Sequence, residues 1–363
     1  VGFAEYKPAT APLMTVWGKS MTPETAWTLH PRPNLERSNW QNLNGLWDYA
    51  VTPIDAPEQP KVWEGKVLVP FAMESALSGV GRMIEPNEAI WYHRTFDVST
   101  LSDERLLLHF DGVDFRSQVF VNGMEVTDYP HESGIIPQTV DVTEAVKEGT
   151  NDLLVYVWDP TDKWQNATGK QVLKPGGIMY TRTSGIWQPV WMETVPSTYV
   201  SGYEVDSDIE KGIAYVKLKT VGNLKNARAS ITVRDDKGKK VASGKVQDWE
   251  KPVELKIKAP QLWSPDNPYL YDMEIALKSS AGTDHVKGYF GMRKIEMRKD
   301  GNGIQKFFLN NEQIFMQGTL DQGWWPDGLL TPPSEEAMLF DIQFLKNAGF
   351  NMMRKHIKIE PMR

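Results

Sequence analysis

The sequence predicts a multidomain, mainly β chain: two successive β-sandwiches followed by the opening of a parallel α/β domain. Three observations carry that reading. Apolar and polar residues alternate with period two over most of the chain. Near the C-terminal end the period changes, and one capped helix lies between two strand-like runs. Punctuation at VPSTYV and MRKDGNG then divides the chain into 1–196, 197–299 and 300–363.

In the first segment, strands are joined by irregular Pro- and Trp-rich connections. The run VFVNGMEV sets Asn122-Gly123 between apolar flanks. A two-residue type I′ turn needs positive φ at both central positions, so this pair predicts a hairpin. The stretch YTRTSGIWQPVW, 180–191, combines two tryptophans, a tyrosine, an arginine and three hydroxyl residues. It is too polar for a core strand and too aromatic for an ordinary surface loop. In the second segment, VELKIKAP puts Val253, Leu255 and Ile257 on one face, and YDMEIALK does the same with Tyr271, Met273, Ile275 and Leu277. Asn310-Asn311 inside KFFLNNEQIFM predicts a further hairpin. In the third segment, TPPSEEAMLFDIQFLKNAGF offers Thr331 or Ser334 as N-cap, prolines in the first turn, Glu335 and Glu336 near the positive helix end, and Gly349 as the C′ residue. The runs QIFMQG and FNMMRKHI flank it as strands.

Composition excludes several function classes. Net charge is -7, with 47 acidic against 40 basic residues and no basic run, so the footprint of a nucleic-acid binder is missing. No apolar run approaches the ~18 residues of a membrane span. The 0 cysteines exclude a disulfide, a thiolate nucleophile and a Cys-ligated metal, and the six histidines show no metal-ligand spacing. The chain begins at Val1, as a processed or trimmed N-terminus does, although a cloning boundary looks the same; a periplasmic or secreted location is the expectation, with the cytoplasm left open. The 14 tryptophans fit either large sandwich cores or a carbohydrate surface, where the apolar face of a sugar lies on an indole.

Motifs in order carry a resemblance to a known family: NLNGLWDY, WYHRTFDV, LLLHFDGVDFRSQVFVNG, DVTEAVKEGTNDLLVYV, SGIWQPVWME, FGMRKIE and FNMMRKH. Together they resemble family 2 of the glycoside hydrolases, which contains β-galactosidases and β-glucuronidases. The resemblance implies a jelly-roll sugar-binding domain, an immunoglobulin-like sandwich and the truncated start of a (β/α)8 TIM barrel. It also implies a retaining exo-β-glycosidase acting on terminal β-linked sugars through two carboxylates about 5 Å apart. A barrel needs about 250 residues, so both glutamates are expected outside this chain, which alone is expected to be inactive. The pairs Asn87-Glu88 and Asn311-Glu312 lie in a sandwich loop and a hairpin, away from any acid/base position.

For substrate contact the resemblance points to Asn87, to Tyr180 and Arg182 as exposed residues at the site entrance, and to strand-end residues; the alternatives are that Arg182 pairs with an acidic neighbour at the domain interface and that Asp321 is a loop-capping carboxylate. The strand-end residues are Asp321, Trp324 and Trp325 after the first barrel strand and Arg354 and His356 after the second. Ile186, Val190 and one tryptophan of the 180–191 stretch are expected in the core. Arg354 corresponds to the arginine beside the family's nucleophile, or else makes a structural salt bridge. Two departures weaken a galactose or glucuronate assignment: Leu320-Asp321-Gln322-Gly323 replaces the usual Asn-Arg-His-Glu run, and Met179 stands at the position of a sugar-binding Asp. No cofactor is expected, although a divalent cation assists some relatives with ligands drawn from elsewhere. The expected partner is a carbohydrate, with no nucleic acid and no membrane insertion, and homo-oligomerisation stays open. The competing expectation is a stand-alone, non-catalytic carbohydrate-binding sandwich.

Overall fold

The computed structural model describes residues 6–56 and 59–363. The first unit is a sandwich of two antiparallel sheets. One has four strands in the order Trp40–Asn42, Val190–Pro196, Glu104–Phe110, Gln138–Asp141. The other has seven strands centred on Gly45–Pro53, Glu88–Val98, Gly149–Trp158 and Arg116–Val121. Their inward residues, among them Trp47, Tyr92, Phe110 and Val155, form one buried core, which Ile186 of the short strand Gly185–Ile186 joins. The hairpin at Asn122-Gly123 is present, with φ of 51° and 80°.

At Ser197–Thr198 the chain passes into a second sandwich. A three-stranded sheet (Tyr199–Asp208, Ile213–Val221, Val253–Lys256) faces a four-stranded one (Lys240–Lys245, Arg228–Arg234, Tyr271–Ser279, Gly282–Phe290). The residues placed on one face by alternation are the buried ones: Val253, Leu255, Ile257, Tyr271, Met273, Ile275 and Leu277. Removing that apolar surface from water is what fixes which face turns inward.

The break expected near Asp300 as a joint is instead a turn. Asp300 N donates to Ile304 O at 2.8 Å, and Ile295–Lys299 pairs antiparallel with Gln305–Leu309 across it. Asp300 Oδ1 accepts from the backbone N–H groups of Asn302 and Ile304, so the side chain closes the turn locally. Asn310 and Asn311, with φ of 52° and 71°, turn the chain again into Glu312–Ile314.

The parallel strands Gly318–Asp321 and Met352–Lys355 follow, joined through the helix Glu335–Asn347. Ser334 is the N-cap, accepting from Ala337 N, and Gly349 takes φ of 90° at C′. The two prolines stand ahead of the cap, so they guide the entry to the helix and lie outside its first turn.

Arg37 ties the two sandwiches together. Its guanidinium bonds Asp284 through Nε and Nη2 at 2.8 and 2.9 Å, Glu193 through Nη1 at 2.9 Å, and Val200 O through Nη2 at 2.5 Å. All three charged side chains are buried. Burial alone would raise the Glu193 carboxyl, but hydrogen bonds and charge from His109 and Arg37 overcome it and bring it down to about 2. Arg37→Ala would leave two buried carboxylates without their cation and is expected to destabilise the protein by about 3–5 kcal/mol. Denaturant unfolding checks this, and a loss under about 1 kcal/mol would contradict the buried-pair account.

Candidate functional site at the strand ends

The loop that leaves the first parallel strand is buried in the first sandwich. Asp327 Oδ2 accepts from Thr15 N at 2.9 Å and Thr15 Oγ1 at 2.6 Å, and its backbone carbonyl accepts from Leu77 N. Thr331 Oγ1 donates to Trp187 O at 2.5 Å, and Trp27 Nε1 donates to Pro332 O at 3.0 Å. Leu330 packs on Ala72 and Trp187. A loop with polar backbone can be buried only when these groups find partners, and here they do. The strand ends are thereby held against the sandwich strand that carries Tyr180.

At that contact Tyr180 and Trp324 stack with ring centroids 4.4 Å apart and planes 13° apart, and Trp324 Nε1 donates to Thr181 O at 3.2 Å. Lys170 Nζ sits 5.9 Å from the Tyr180 ring. Gly169, at φ of 59°, lies so near the end of the second strand that a Cβ there would stand 3.3 Å from Ile357. Two sequence-distant sandwich segments thus border the same strand ends.

The register sets Leu320 beside Arg354 and Asp321 beside Lys355. Side-chain alternation turns Met353 and Lys355 toward a cleft of about 460 Å³ whose other wall is Met338, Asp341 and Ile342 of the helix; Trp324 and Trp325 also line it. Arg354 lies on the other face and is exposed. Asp321 is one of four alternating charges. Lys355 Nζ lies 2.5 Å from both Asp321 and Glu360, and Lys358 Nζ lies 3.3 Å from Asp321 and 2.6 Å from Glu360. Burial would raise the Asp321 carboxyl, yet the Lys355 hydrogen bond and the two lysine charges hold it below its ordinary value. His356 N donates to Asp321 O at 2.9 Å, extending the ladder by one residue. Lys358 and Glu360 escaped notice in the sequence; their signal was charge recurring just past a strand end.

Arg182 is not exposed at the entrance and pairs with an acidic residue. It is buried, and its guanidinium is used by Glu85 Oε1 at 2.7 Å and Leu173 O at 3.1 Å, with Glu74 Oε1 3.9 Å away. Both partners come from a loop about a hundred residues earlier or from across a turn, so sequence proximity could not show them. Both Trp187 and Trp191, rather than one, are buried with Ile186 and Val190. Asn87 is exposed in the turn that follows Glu85, its carbonyl accepting from Ile54 N. The structure thus groups Tyr180, Trp324 and Trp325 at one wall, sets Arg354 and His356 on the adjoining strand, and leaves Asn87 on a neighbouring rim.

Beneath this wall lie three buried carboxyl groups. Glu74 Oε2 accepts from Ser184 N at 2.8 Å, Asp159 Oδ2 from Ser184 Oγ at 2.6 Å, and Asp114 Oδ2 from Gln171 Nε2 at 3.1 Å. Gln171 Oε1 in turn accepts from Thr183 N at 2.6 Å. Burial pushes Glu74 up to about 8, and burial raises Asp114 and Asp159 as well. Among the described residues, no group of three or more His, Cys, Asp or Glu side chains could hold a metal ion, and no helix is long and apolar enough to cross a membrane.

Comparison with known proteins agrees with this architecture. Residues 67–196 match the sugar-binding domain of glycosyl hydrolases family 2, and residues 198–293 match a second domain of the same family. The chain belongs to glycosyl hydrolases family 2. Among curated relatives, a β-galactosidase from Halalkalibacterium halodurans is 26% identical over 86% of this chain and 33% of its own length. A β-glucuronidase from Paenibacillus borealis is 22% identical over 80% of this chain and 50% of its own. Among solved structures, the β-glucuronidase of Ruminococcus gnavus superposes with a TM-score of 0.72 at 21% identity, covering 92% of this chain and 58% of that one. The β-D-glucuronidase of Dictyoglomus thermophilum gives 0.70 at 21% identity, covering 89% and 55%. The chain spans between a quarter and a half of the length of the curated relatives it matches.

The raised Glu74 carboxyl has a definite consequence for stability. A carboxyl whose folded pKa lies above its unfolded value favours the folded state at low pH and loses that contribution as pH rises through the folded value. The buried His30 and His109, both lowered by burial, titrate with the opposite sign below their ordinary value of 6.5. Above about pH 7.5, where both imidazoles are deprotonated in the unfolded state too, the raised carboxyls dominate, and Tm is expected to fall from there to about pH 8.5. In Glu74→Gln the fall should be shallower; an identical slope in thermal melts would show that Glu74 is ionised throughout.

Proposed function

We propose that this chain is the N-terminal part of a retaining exo-β-glycosidase that removes terminal β-linked sugars from oligo- or polysaccharides. One observation supports it most: a sugar-binding sandwich is clasped onto the C-terminal ends of a parallel strand–helix–strand unit. Those ends are where barrel enzymes build their sites. Among the described residues, each of the two parallel strands is hydrogen-bonded along one edge only, while Leu339, Phe340, Ile342 and Phe344 of the helix are exposed. Unpaired parallel edges beside an uncovered apolar helix fit a barrel whose other strands and helices lie further along the polypeptide.

In this reading Tyr180 and Trp324 form a rigid aromatic wall of the terminal-sugar site, and Arg354 presents its charge from the strand end. A guanidinium there would favour the ionised form of a nucleophilic carboxylate. The hydrolytic step would need two carboxyl groups about 5 Å apart, one as nucleophile and one as acid then base. Both belong to barrel strands beyond this chain.

The complete polypeptide is expected to hydrolyse at least one of the 4-nitrophenyl β-galactoside, β-glucuronide and β-glucoside, which also identifies the sugar. Inactivity on all three would favour a non-cleaving carbohydrate binder. Tyr180→Ala should raise KM for the active glycoside by roughly tenfold, as expected for a lost aromatic contact, while kcat changes less. An unchanged KM would remove Tyr180 from the entrance.

A further inference from the structure

We infer that Trp164, seated on Trp158, forms a second carbohydrate-binding surface on the sandwich rim, one that takes the β-linked sugar units beyond the terminal one. The inference rests on the glycosidase reading and deepens it toward oligosaccharide substrates.

Trp158 closes the strand Gly149–Trp158 and is fixed on two sides. Its Nε1 donates to Pro86 O at 2.8 Å, and the Arg116 guanidinium lies 4.9 Å over its ring. Arg116 is itself held by Glu132, Nε to Oε1 at 2.7 Å. Trp164 meets Trp158 edge to face, with centroids 5.7 Å apart and planes at 72°. The turn between them is braced from inside: Asp159 Oδ1 accepts from Thr161 N at 2.7 Å, and Lys163 N donates to Pro160 O. Yet 54% of Trp164 is exposed. Leaving half of a large indole in water forfeits burial energy that the core could have used.

The position of this platform suggests its ligand. On one side Trp158 holds Pro86, the residue before the exposed Asn87. On the other, the loop carrying Trp164 runs on to Gly169 against Ile357 and to Lys170 over Tyr180. The loop that carries the platform therefore ends at the wall formed at the strand ends. A sugar ring offers an apolar C–H face bordered by hydroxyls, and here the exposed Trp164 indole adjoins Trp158, whose own ring carries the Arg116–Glu132 pair, a donor and an acceptor. Because Glu132 matches the Arg116 charge, the surface favours neutral sugar units over uronic acids or other anions.

The test compares short and long ligands. In the complete polypeptide, Trp164→Ala should raise KM for a β-linked tetrasaccharide of the hydrolysed sugar by roughly tenfold and leave kcat/KM for its 4-nitrophenyl monosaccharide unchanged. Trp164→Phe should restore most of the tetrasaccharide affinity. No change for the tetrasaccharide, or an equal loss on both substrates, overturns the inference. Calorimetric titration with those of cellotetraose, β-1,4-galactotetraose and xylotetraose that the polypeptide does not cleave reads binding without hydrolysis. Binding that Trp164→Ala abolishes, in a polypeptide that cleaves nothing, refutes the glycosidase reading and keeps this surface; binding of none of the three refutes the surface.

Discussion

The burial of one loop in a neighbouring sandwich governs the geometry of the candidate site. Residues 324–333 leave a strand end and enter the first sandwich, where Asp327 is held by Thr15 and Thr331 reaches the carbonyl of Trp187. Trp27 closes the same clasp from the N-terminal segment. The clasp helps to orient the strand–helix–strand unit relative to Tyr180. With it, an aromatic stack forms between residues 144 positions apart in the chain, Tyr180 and Trp324. The clasp works because Asp327 Oδ2, Thr331 Oγ1 and the Pro332 carbonyl each find a partner, although Trp325 Nε1 and Asp327 Oδ1 are buried without one.

The molecule buries carboxyl groups in two different ways, and the difference is electrostatic. Glu193 and Asp284 lie against the Arg37 guanidinium, so Glu193 stays ionised in spite of its burial. Glu74, Asp114 and Asp159 have only neutral donors in contact, with Arg182 at 3.9 Å from Glu74 and its charge shared with Glu85. There desolvation wins and raises all three carboxyls, Glu74 to about 8. The first arrangement locks the joint between sandwiches. The second seats the strand that carries the aromatic wall.

Local chemistry was legible in the sequence wherever a structure is decided within a few residues. The Asn122-Gly123 and Asn310-Asn311 turns have the positive φ those residues tolerate. Ser334 and Gly349 bound the helix because a cap bonds to backbone only three or four positions away. Alternation named the buried face of Val253 to Ile257 and Tyr271 to Leu277 because a strand with one wet face has only two choices. The Asp300–Gly303 turn shows the limit of that approach: Gly and Asp mark a change of direction but do not say whether a hairpin or a linker follows.

Alone, the amino-acid sequence determined the strand faces, the caps, the change of period near residue 300 and the family likeness carried by ordered motifs. Tertiary structure alone decided that Arg182 is buried against Glu85, that both Trp187 and Trp191 enter the core, that Asp321 is neutralised by lysines and that Tyr180 finds Trp324. These outcomes depend on partners far away in the chain. An arginine's exposure or a carboxyl's charge is set by what the fold brings within about 4 Å of it, and neither composition nor periodicity encodes that distance.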